Sequence, residues 1–275
     1  MSHVLIAAIQ LCSGPGLAAN LDAAEQQLRK AAAAGARLAV LPENFAVFDA
    51  AQYREVARQL PSILTWLAAL ARELDLWIVA GTLPAASRPD GALVPDGRVR
   101  TACHVISATG ECVARYDKIH LFDVDVPDSQ GAYRESATFE PGDEVVCVET
   151  PFGCIGLTIC YDLRFPELFR ALVGMGAGLV TVPAAFTAVT GEAHWQVLLR
   201  ARAIENQVMV VGAGQGGRHN PSRQTWGHTQ IIDAWGRVLA EQVTDGAGFV
   251  LARWDRDEQV SLQNRMPVRK HRLIR

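Results

Sequence analysis

The first half of the chain alternates short apolar runs with longer segments rich in Ala and Leu. The apolar runs are short enough for buried strands, and the longer segments carry apolar residues at helical spacing. The pattern predicts three strands separated by two helices, and then a pair of shorter strands. These elements are, in order, strand 4–9, helix 17–34, strand 38–41, helix 62–74, strand 77–80 and strands 101–107 and 112–116.

The second half repeats this order of elements without any repeat of sequence identity. Its first predicted helix begins at Pro166, a residue that favours the first turn of a helix. A hairpin joined by Trp235-Gly236 closes the unit. The predicted elements are strand 154–160, helix 166–173, strand 179–182, helix 193–205, strand 208–211 and hairpin strands 229–233 and 237–240.

Alternating strands and helices indicate an α/β fold with largely parallel pairing and helices covering the sheets. Two half-units of similar order most simply form two stacked sheets with helices outside, a four-layer α-β-β-α sandwich. A single doubly wound sheet is the alternative. The richest Gly/Pro/Asp stretch, 84–97, is interpreted as an excursion within the first half. Residues 1–275 are therefore predicted to form a single domain.

The charge balance excludes several classes of partner. The chain has 26 Lys and Arg residues against 29 Asp and Glu residues, a net charge of −3. Such a balance does not favour binding to nucleic acid, although the last eleven residues, 265–275, are basic and are interpreted as a salt-bridging or oligomer contact. Because no run of 18 apolar residues occurs, no membrane span is expected.

The cysteines indicate a reducing compartment. Six cysteines, at positions 12, 103, 112, 147, 154 and 160, form no CxxC pair. A chain of this length buries a core that needs no disulfides, so we expect reduced thiols and a cytoplasmic protein. The opening MSHVLIAAIQ lacks a charged segment before its apolar run, which argues against a signal peptide.

Metal and nucleotide cofactors are not expected. The seven histidines show no metal-ligand spacing with each other or with cysteines. Gly212–Gly217 matches GxGxxG after a predicted strand, but the following RHNPSRQTW cannot open the helix that a dinucleotide site requires. Neither a GxSxG elbow nor a P-loop is present.

Cys160 is the candidate nucleophile. It ends the apolar run CIGLTIC and is followed by the helix that begins at Pro166. Reactive groups of α/β proteins gather beyond the carboxyl ends of strands, near helix N-termini that favour a thiolate. The other five cysteines lie in or beside strand patterns and are interpreted as structural.

Glu43 and Lys118 are the candidate charged partners. Glu43 follows the apolar run LAVLP, a position where a general base can be partly desolvated. Lys118 is flanked by the apolar residues Ile119, Leu121 and Phe122, so its ammonium could be held in a pocket as an oxyanion partner. The adjacent His120 is interpreted as making a structural hydrogen bond.

Three segments resemble motifs of the nitrilase (carbon–nitrogen hydrolase) superfamily: LAVLPENF, YDKIHLFDVDVP and GLTICYDLRFPELFR. They occur in the family's order, and the resemblance covers nearly the whole chain. It implies an α-β-β-α fold in which Glu43 is general base and acid, Lys118 stabilises the oxyanion and Cys160 is the nucleophile. Glu135, in YRES, is similar to the family's second glutamate, which holds the lysine and orients substrate. The loop between Lys118 and Glu135 is about one residue longer than the family pattern.

The resemblance also implies a reaction. The thiolate of Cys160 attacks a terminal amide, the oxyanion lies between Lys118 and the backbone N–H of Tyr161, and a thioester is hydrolysed to acid and ammonia. The segments HLFDVDVP, QGGRHNPSRQTWGHTQIIDAWG and RMPVRKHR are most similar to the deaminated-glutathione amidase branch. An omega-amidase acting on α-ketoglutaramate is the alternative. The family commonly forms homodimers or larger homo-oligomers.

Carboxylate-bearing substrates need cationic or polar groups at the far end of the pocket. Arg218, His219 and Arg223, in the polar segment after strand 208–211, are the candidates, together with Thr190. Arg164 is expected to pair with Asp162 or Glu167 rather than with substrate. A non-catalytic scaffold, an acyltransferase that uses the same thioester, and a nucleic-acid-binding role for the basic tail remain alternative functions.

Overall fold

The strands and helices alternate largely as the sequence predicts. A computed structural model describes residues 3–273. The helices are α1 (Leu17–Ala33), α2 (Tyr53–Arg58), α3 (Leu60–Leu74), α4 (Pro166–Gly174), α5 (Ala188–Asn206) and α6 (Arg256–Arg265). The first eight strands are β1 (His3–Gln10), β2 (Leu38–Val40), β3 (Trp77–Val79), β4 (Leu83–Ala85), β5 (Arg100–Ile106), β6 (Cys112–Asp117), β7 (Asp123–Asp125) and β8 (Ala132–Arg134). The others are β9 (Cys147–Thr150), β10 (Gly153–Leu157), β11 (Leu179–Ala184), β12 (Met209–Gly214), β13 (Gly216–Arg218), β14 (Gln224–Trp226), β15 (Gln230–Ile232), β16 (Val238–Glu241) and β17 (Gly248–Asp255).

Two mixed sheets have parallel centres and antiparallel edges. The first has the order β17-β1-β2-β3-β5-β4, with β6 paired to β5, and β1, β2 and β3 are parallel. The second has the order β16-β15-β12-β11-β10-β9, and β10, β11 and β12 are parallel. Because the half-units form separate sheets, the doubly wound alternative is wrong. Two short hairpins, β7–β8 and β13–β14, lie outside the sheets.

Strand β1 shows how the four layers form. Ile6 and Ala8 are fully buried in the core shared with the second sheet and its helices. Ala7 and Ile9, on the opposite face, belong to a second core that contains residues of α1 and α3. Since successive side chains of a strand point to opposite faces, this apolar run is buried on both sides. Phe169 of α4 extends the shared core beyond the second sheet, which confirms the α-β-β-α sandwich.

The structure differs from the prediction in several features. Strand β17 pairs antiparallel along the whole of β1, from His3 with Asp255 to Gln10 with Gly248, and neither β17 nor α6 is predicted. Strand β10 stops at Leu157, because the chain turns sharply at 160–164.

Among residues 3–273, none of the helices could span a membrane. The single-domain assignment of 1–275 stays a prediction, and the end of the basic segment, 274–275, lies outside the described residues.

Candidate active site

Two catalytic candidates occupy equivalent places in the two half-units. Glu43 lies three residues beyond the end of β2, and Cys160 lies three residues beyond the end of β10. Both strands are parallel members of their sheets, and their carboxyl ends open onto the same cavity. The stacking of the two sheets therefore brings together residues that are 117 positions apart in the chain.

The backbone around Glu43 is held by contacts from neighbouring segments. The Gln215 side chain donates to the Glu43 carbonyl at 2.9 Å, and the Asn44 N–H donates to Thr82 Oγ1 at 2.8 Å. Gly81 has φ +47° and passes so close that an added Cβ would lie 2.0 Å from the carbonyl oxygen of Pro42. Glycine is required there, because any larger residue would displace the loop that carries Glu43.

Lys118 joins the two carboxylates below the cavity. Its Nζ donates to Glu43 Oε1 at 3.0 Å and to Glu135 at 2.8 and 2.9 Å. Glu135 is fixed in turn, because its Oε2 accepts from the Phe122 N–H at 2.6 Å. Lys118 is 2% exposed and Glu43 is 4% exposed. We call Glu43, Lys118 and Glu135 the charged cluster.

Electrostatics keep the lysine positively charged. Burial by itself would lower the pKa of Lys118, but the charges of Glu135 and Glu43 outweigh it and hold the pKa well above its ordinary value. Burial raises the pKa of Glu135, against the opposing charge of Lys118. Lys118 is therefore suited to pair with a developing negative charge and unsuited to act as a base.

The Cys160 side chain is a thiol at rest. Burial, followed by the charge of Glu43, raises the pKa of Cys160 well above its ordinary value, while Lys118 and the N–H of Ala185 oppose the shift. The expectation that this position favours a thiolate is therefore wrong, since helix α4 begins only at Pro166 and a carboxylate lies beside the sulfur. A thiol in this setting needs a base to take its proton before it attacks.

A cavity of about 360 Å³ opens above these groups. Its lining includes Cys160, the charged cluster and four further residues of interest. Three of these, Tyr161, Thr190 and Arg223, are sequence candidates, and Asn220 is an addition. The aromatic wall was not predicted; it consists of Phe48, Tyr53, Phe122, Tyr133, Phe139 and Phe186.

Arg223 and Arg134 are the cationic side chains of the cavity lining outside the charged cluster, and Arg134 is already paired with Asp125 at 2.8 Å. The guanidinium carbon of Arg223 lies 4.7 Å from the centre of the Tyr133 ring and 5.6 Å from that of Phe48. Nη2 donates to the Ala185 carbonyl at 3.1 Å. Nη1 is buried without a hydrogen-bond partner among residues 3–273. A buried guanidinium nitrogen left unpaired is costly, which favours a role in binding an anion.

Arg218 and His219 do not line the cavity. Arg218 is exposed and donates to the Pro221 carbonyl at 3.1 Å. His219 stacks on Phe48, and its ring nitrogens contact the Ser13 carbonyl and the Thr225 hydroxyl at 2.7 and 2.6 Å. Burial lowers the pKa of His219 to about 4, so the ring is neutral at pH 7. Arg223 and Thr190 are therefore the two sequence candidates for substrate contact that line the cavity.

Two side chains beside the nucleophile have structural contacts. The prediction that Arg164 pairs with Asp162 or Glu167 is wrong: its guanidinium lies over the rings of Tyr161 and Phe186, at 5.8 and 5.4 Å. The prediction of a structural hydrogen bond for His120 is confirmed, because Nδ1 lies 2.7 Å from Asp162 Oδ1. In the described part of the chain, no three His, Cys, Asp or Glu side chains are grouped so as to hold a metal ion.

The chain is similar to known proteins over nearly its whole length. Residues 5–262 match the family model described as carbon-nitrogen hydrolase. The chain is 43% identical to a deaminated glutathione amidase from Yersinia enterocolitica, over 98% of this chain and 93% of that one. It is 34% identical to an omega-amidase from Homo sapiens, over 98% and 94% of the two chains.

Solved structures share the fold. The Caenorhabditis elegans NitFhit protein superposes with a TM-score of 0.90 at 35% identity, and the match covers 99% of this chain and 66% of that one. A variant of the amidase from Nesterenkonia sp. AN1, with a TM-score of 0.79 at 25% identity over 99% and 97% of the two chains, carries the acetamide moiety of fluoroacetamide covalently added at the active site cysteine. The chain belongs to the carbon-nitrogen hydrolase family, within the nitrilase superfamily.

Proposed function

We propose that this chain is an amidase that hydrolyses a small carboxylate-bearing amide through a thioester on Cys160. One observation carries the proposal: a buried thiol, a carboxylate and a paired ammonium line one cavity of about 360 Å³. A nucleophile, a base and an oxyanion partner are the groups that acyl transfer requires.

In the first half-reaction, Glu43 takes the proton of the Cys160 thiol, and the sulfur attacks the amide carbonyl carbon. Negative charge that develops on the carbonyl oxygen is stabilised by Lys118 Nζ and the backbone N–H of Tyr161. The C–N bond then breaks as Glu43 gives the proton to the departing nitrogen. The products of this step are an amine, or ammonia from a primary amide, and a thioester.

In the second half-reaction, water replaces the amine. Glu43 removes a proton from a water molecule, the oxygen attacks the thioester carbonyl, and the carboxylic acid leaves as the sulfur takes up the proton. Glu135 holds Lys118 through two hydrogen bonds, at 2.8 and 2.9 Å. We assign it the role of keeping the ammonium in place through both half-reactions.

Deaminated glutathione is the proposed substrate, since relatives 41–43% identical to this chain bear that activity in their names. Glutathione is a tripeptide, so the amide nitrogen of its deaminated form carries a carbon substituent and the leaving group is an amine. The expectation of a terminal amide and of ammonia as product is therefore wrong for this substrate and holds only for a primary amide. An omega-amidase activity, which releases ammonia from α-ketoglutaramate, is the alternative supported by the 34% identical relative. Both substrates carry carboxylates, and we propose that Arg223 binds them and that Thr190 orients the substrate, since both residues line the cavity.

The test compares two cysteine variants. Cys160→Ala is expected to abolish the release of amine from deaminated glutathione and of ammonia from α-ketoglutaramate, without an acceptor present. Cys154→Ala is the matched control, because Cys154 is also buried and lies on β10, the strand that leads to the site. A folded Cys160→Ala protein that retains amide hydrolysis contradicts the proposal, and so does an unmodified chain that hydrolyses neither substrate. A higher kcat/KM for deaminated glutathione assigns the chain to the deaminated glutathione amidases, and a higher kcat/KM for α-ketoglutaramate assigns it to the omega-amidases.

We further propose a cytoplasmic location and a homodimer or larger homo-oligomer. All six cysteines are free thiols, as a reducing compartment favours.

The proposed assembly rests on exposed apolar side chains. Val197 and Ile204 of α5 are 66% and 43% exposed, and Trp235, in the hairpin that packs beside Ile204, is 58% exposed. Exposed apolar residues of this kind are typical of protein contacts. Light scattering during size-exclusion chromatography measures the assembly, and a monomeric mass contradicts it.

A further inference from the structure

Asp162 is a fully buried carboxylate with four hydrogen-bond contacts. Oδ2 accepts from the Tyr116 hydroxyl at 2.7 Å and from the Ile159 N–H at 2.9 Å. Oδ1 accepts from the His120 N–H at 3.1 Å and contacts His120 Nδ1 at 2.7 Å. Asp162 is 0% exposed and is not part of the cavity lining, so its side chain is placed to hold other residues and not substrate.

The partners of Asp162 belong to the two segments that carry the reacting groups. Tyr116 and His120 lie two residues before and two residues after Lys118. Ile159 immediately precedes Cys160. A single carboxylate therefore connects the lysine segment of the first half-unit to the cysteine turn of the second.

The same contacts explain the backbone conformation of the nucleophile. Cys160 has φ +48°, a left-handed conformation that is strained for a non-glycine residue. The Asp162 N–H donates to the Ile159 carbonyl at 3.0 Å, while its side chain accepts from the Ile159 N–H. This closed pair of hydrogen bonds encloses Cys160 and holds the turn in its strained form.

We propose that Asp162 is a positioning residue, which holds Cys160 in its strained turn and fixes the place of Lys118 relative to the sulfur. The inference rests on the proposed amidase chemistry for its rate measurement. Nucleophile, carbonyl carbon and oxyanion partner must be aligned together, and a displacement of about 1 Å can lower the rate by about 10²-fold. The loss is expected in kcat and not in KM, since Asp162 does not line the cavity.

The test uses Asp162→Asn, the milder Tyr116→Phe and a control, Asp233→Asn. Asp233 is a turn carboxylate of the β15–β16 hairpin that accepts from the N–H groups of Trp235 and Arg237 and from the Arg237 side chain. It is not part of the cavity lining. Three quantities are measured for each variant: the thermal midpoint, kcat and KM, and the rate of Cys160 alkylation by iodoacetamide, resolved by peptide mass spectrometry.

Asp162→Asn is expected to lower kcat by about 10²-fold with KM within about twofold of the parent, and to slow alkylation of Cys160. Tyr116→Phe removes one hydrogen bond to the carboxylate and is expected to lower kcat by about tenfold. Asp233→Asn is expected to lose stability alone. In the Asp162→Asn background, removing Lys118 is expected to cost less than in the parent, because the ammonium is already displaced.

The proposal is overturned if folded Asp162→Asn keeps kcat within twofold of the parent, or if Asp233→Asn loses as much kcat at the same loss of thermal midpoint. A rise in KM equal to the fall in kcat overturns it as well. If Asp162→Asn does not fold, Tyr116→Phe with unchanged kcat and alkylation overturns it. Failure of the amidase proposal is distinguishable: the parent then hydrolyses no amide, while alkylation still slows in Asp162→Asn.

Discussion

Replacing Lys118 by methionine separates its contribution to folding from its contribution to catalysis. The side chain is 2% exposed and pairs with Glu43 at 3.0 Å and with Glu135 at 2.8 Å. With all three groups ionised, the charged cluster has a net charge of −1, and Lys118→Met leaves two buried carboxylates with a charge of −2. Breaking a buried ion pair from one side costs about 3–5 kcal/mol, so the thermal midpoint should fall on the order of 10 °C.

The double variant Lys118→Met/Glu135→Gln removes one charge of each sign and returns the cluster to −1. Its thermal midpoint should recover part of the loss, because the repulsion between two buried carboxylates is gone while Glu43 stays buried without its partner. Activity should not recover. Removing one donor to an oxyanion lowers kcat by about 10²–10³-fold, and neither methionine nor glutamine supplies the missing charge.

Differential scanning fluorimetry and initial-rate kinetics on an amide substrate give both quantities for the parent, the two single variants and the double variant. Recovery of kcat together with stability in the double variant would refute the reasoning. In that case Lys118 would serve only to neutralise carboxylates. A Lys118→Met protein that melts at the temperature of the parent would instead show that the buried ion pairs contribute little to stability.

Three further predictions follow from other parts of the structure. Arg223→Met keeps an unbranched apolar side chain but removes the charge. It should raise KM for carboxylate-bearing amides by tenfold or more and leave KM for neutral amides such as butyramide nearly unchanged; an equal change for both, in steady-state kinetics, contradicts an anion site. Burial lowers the pKa of His104 from 6.5 to about 3, so the unfolded chain binds a proton below pH 6.5 that the native state does not, and stability falls as pH drops toward 3. His104→Gln should flatten this fall by about 1.4 kcal/mol per pH unit in urea titrations, and an unchanged slope would contradict the buried neutral ring. Gly81→Ala should lower both stability and kcat, since its Cβ meets the Pro42 carbonyl; calorimetry showing an unchanged midpoint refutes the close approach.

The order of elements was predictable because the parallel strands are buried on both faces. Strand β1 is a continuous apolar run, and its residues are buried in two different cores. Strand β17 was missed because it is an edge strand, whose first four residues are only partly buried. Its pairing with β1 depends on residues more than 230 positions away, which a local pattern does not contain.

The catalytic candidates were predictable to different degrees. Glu43 and Cys160 follow apolar strands, a position that marks a site in many α/β proteins, and the structure places both at one cavity. Glu135 does not follow an apolar strand, and its role was assigned from the family resemblance alone. Its two hydrogen bonds to Lys118 form only when the loop after β8 folds back onto the lysine.

The substrate contacts required tertiary structure. Arg218, His219 and Arg223 lie within one polar segment of six residues, and the sequence does not show which of them contacts substrate. In the fold, Arg218 points to solvent, His219 is neutral and packed on Phe48, and Arg223 reaches the cavity between aromatic rings. Tyr133, one of those rings, carries no local signal of a binding residue.

The covalent intermediate gives the most direct test of the central claim. An acid-quenched steady-state reaction, digested and resolved by mass spectrometry, is expected to show the acyl group of the substrate on the peptide that contains Cys160. The same digest should show Cys154 unmodified. Acyl transfer to another residue, or full turnover with no adduct on Cys160 at any quench time, would contradict the account.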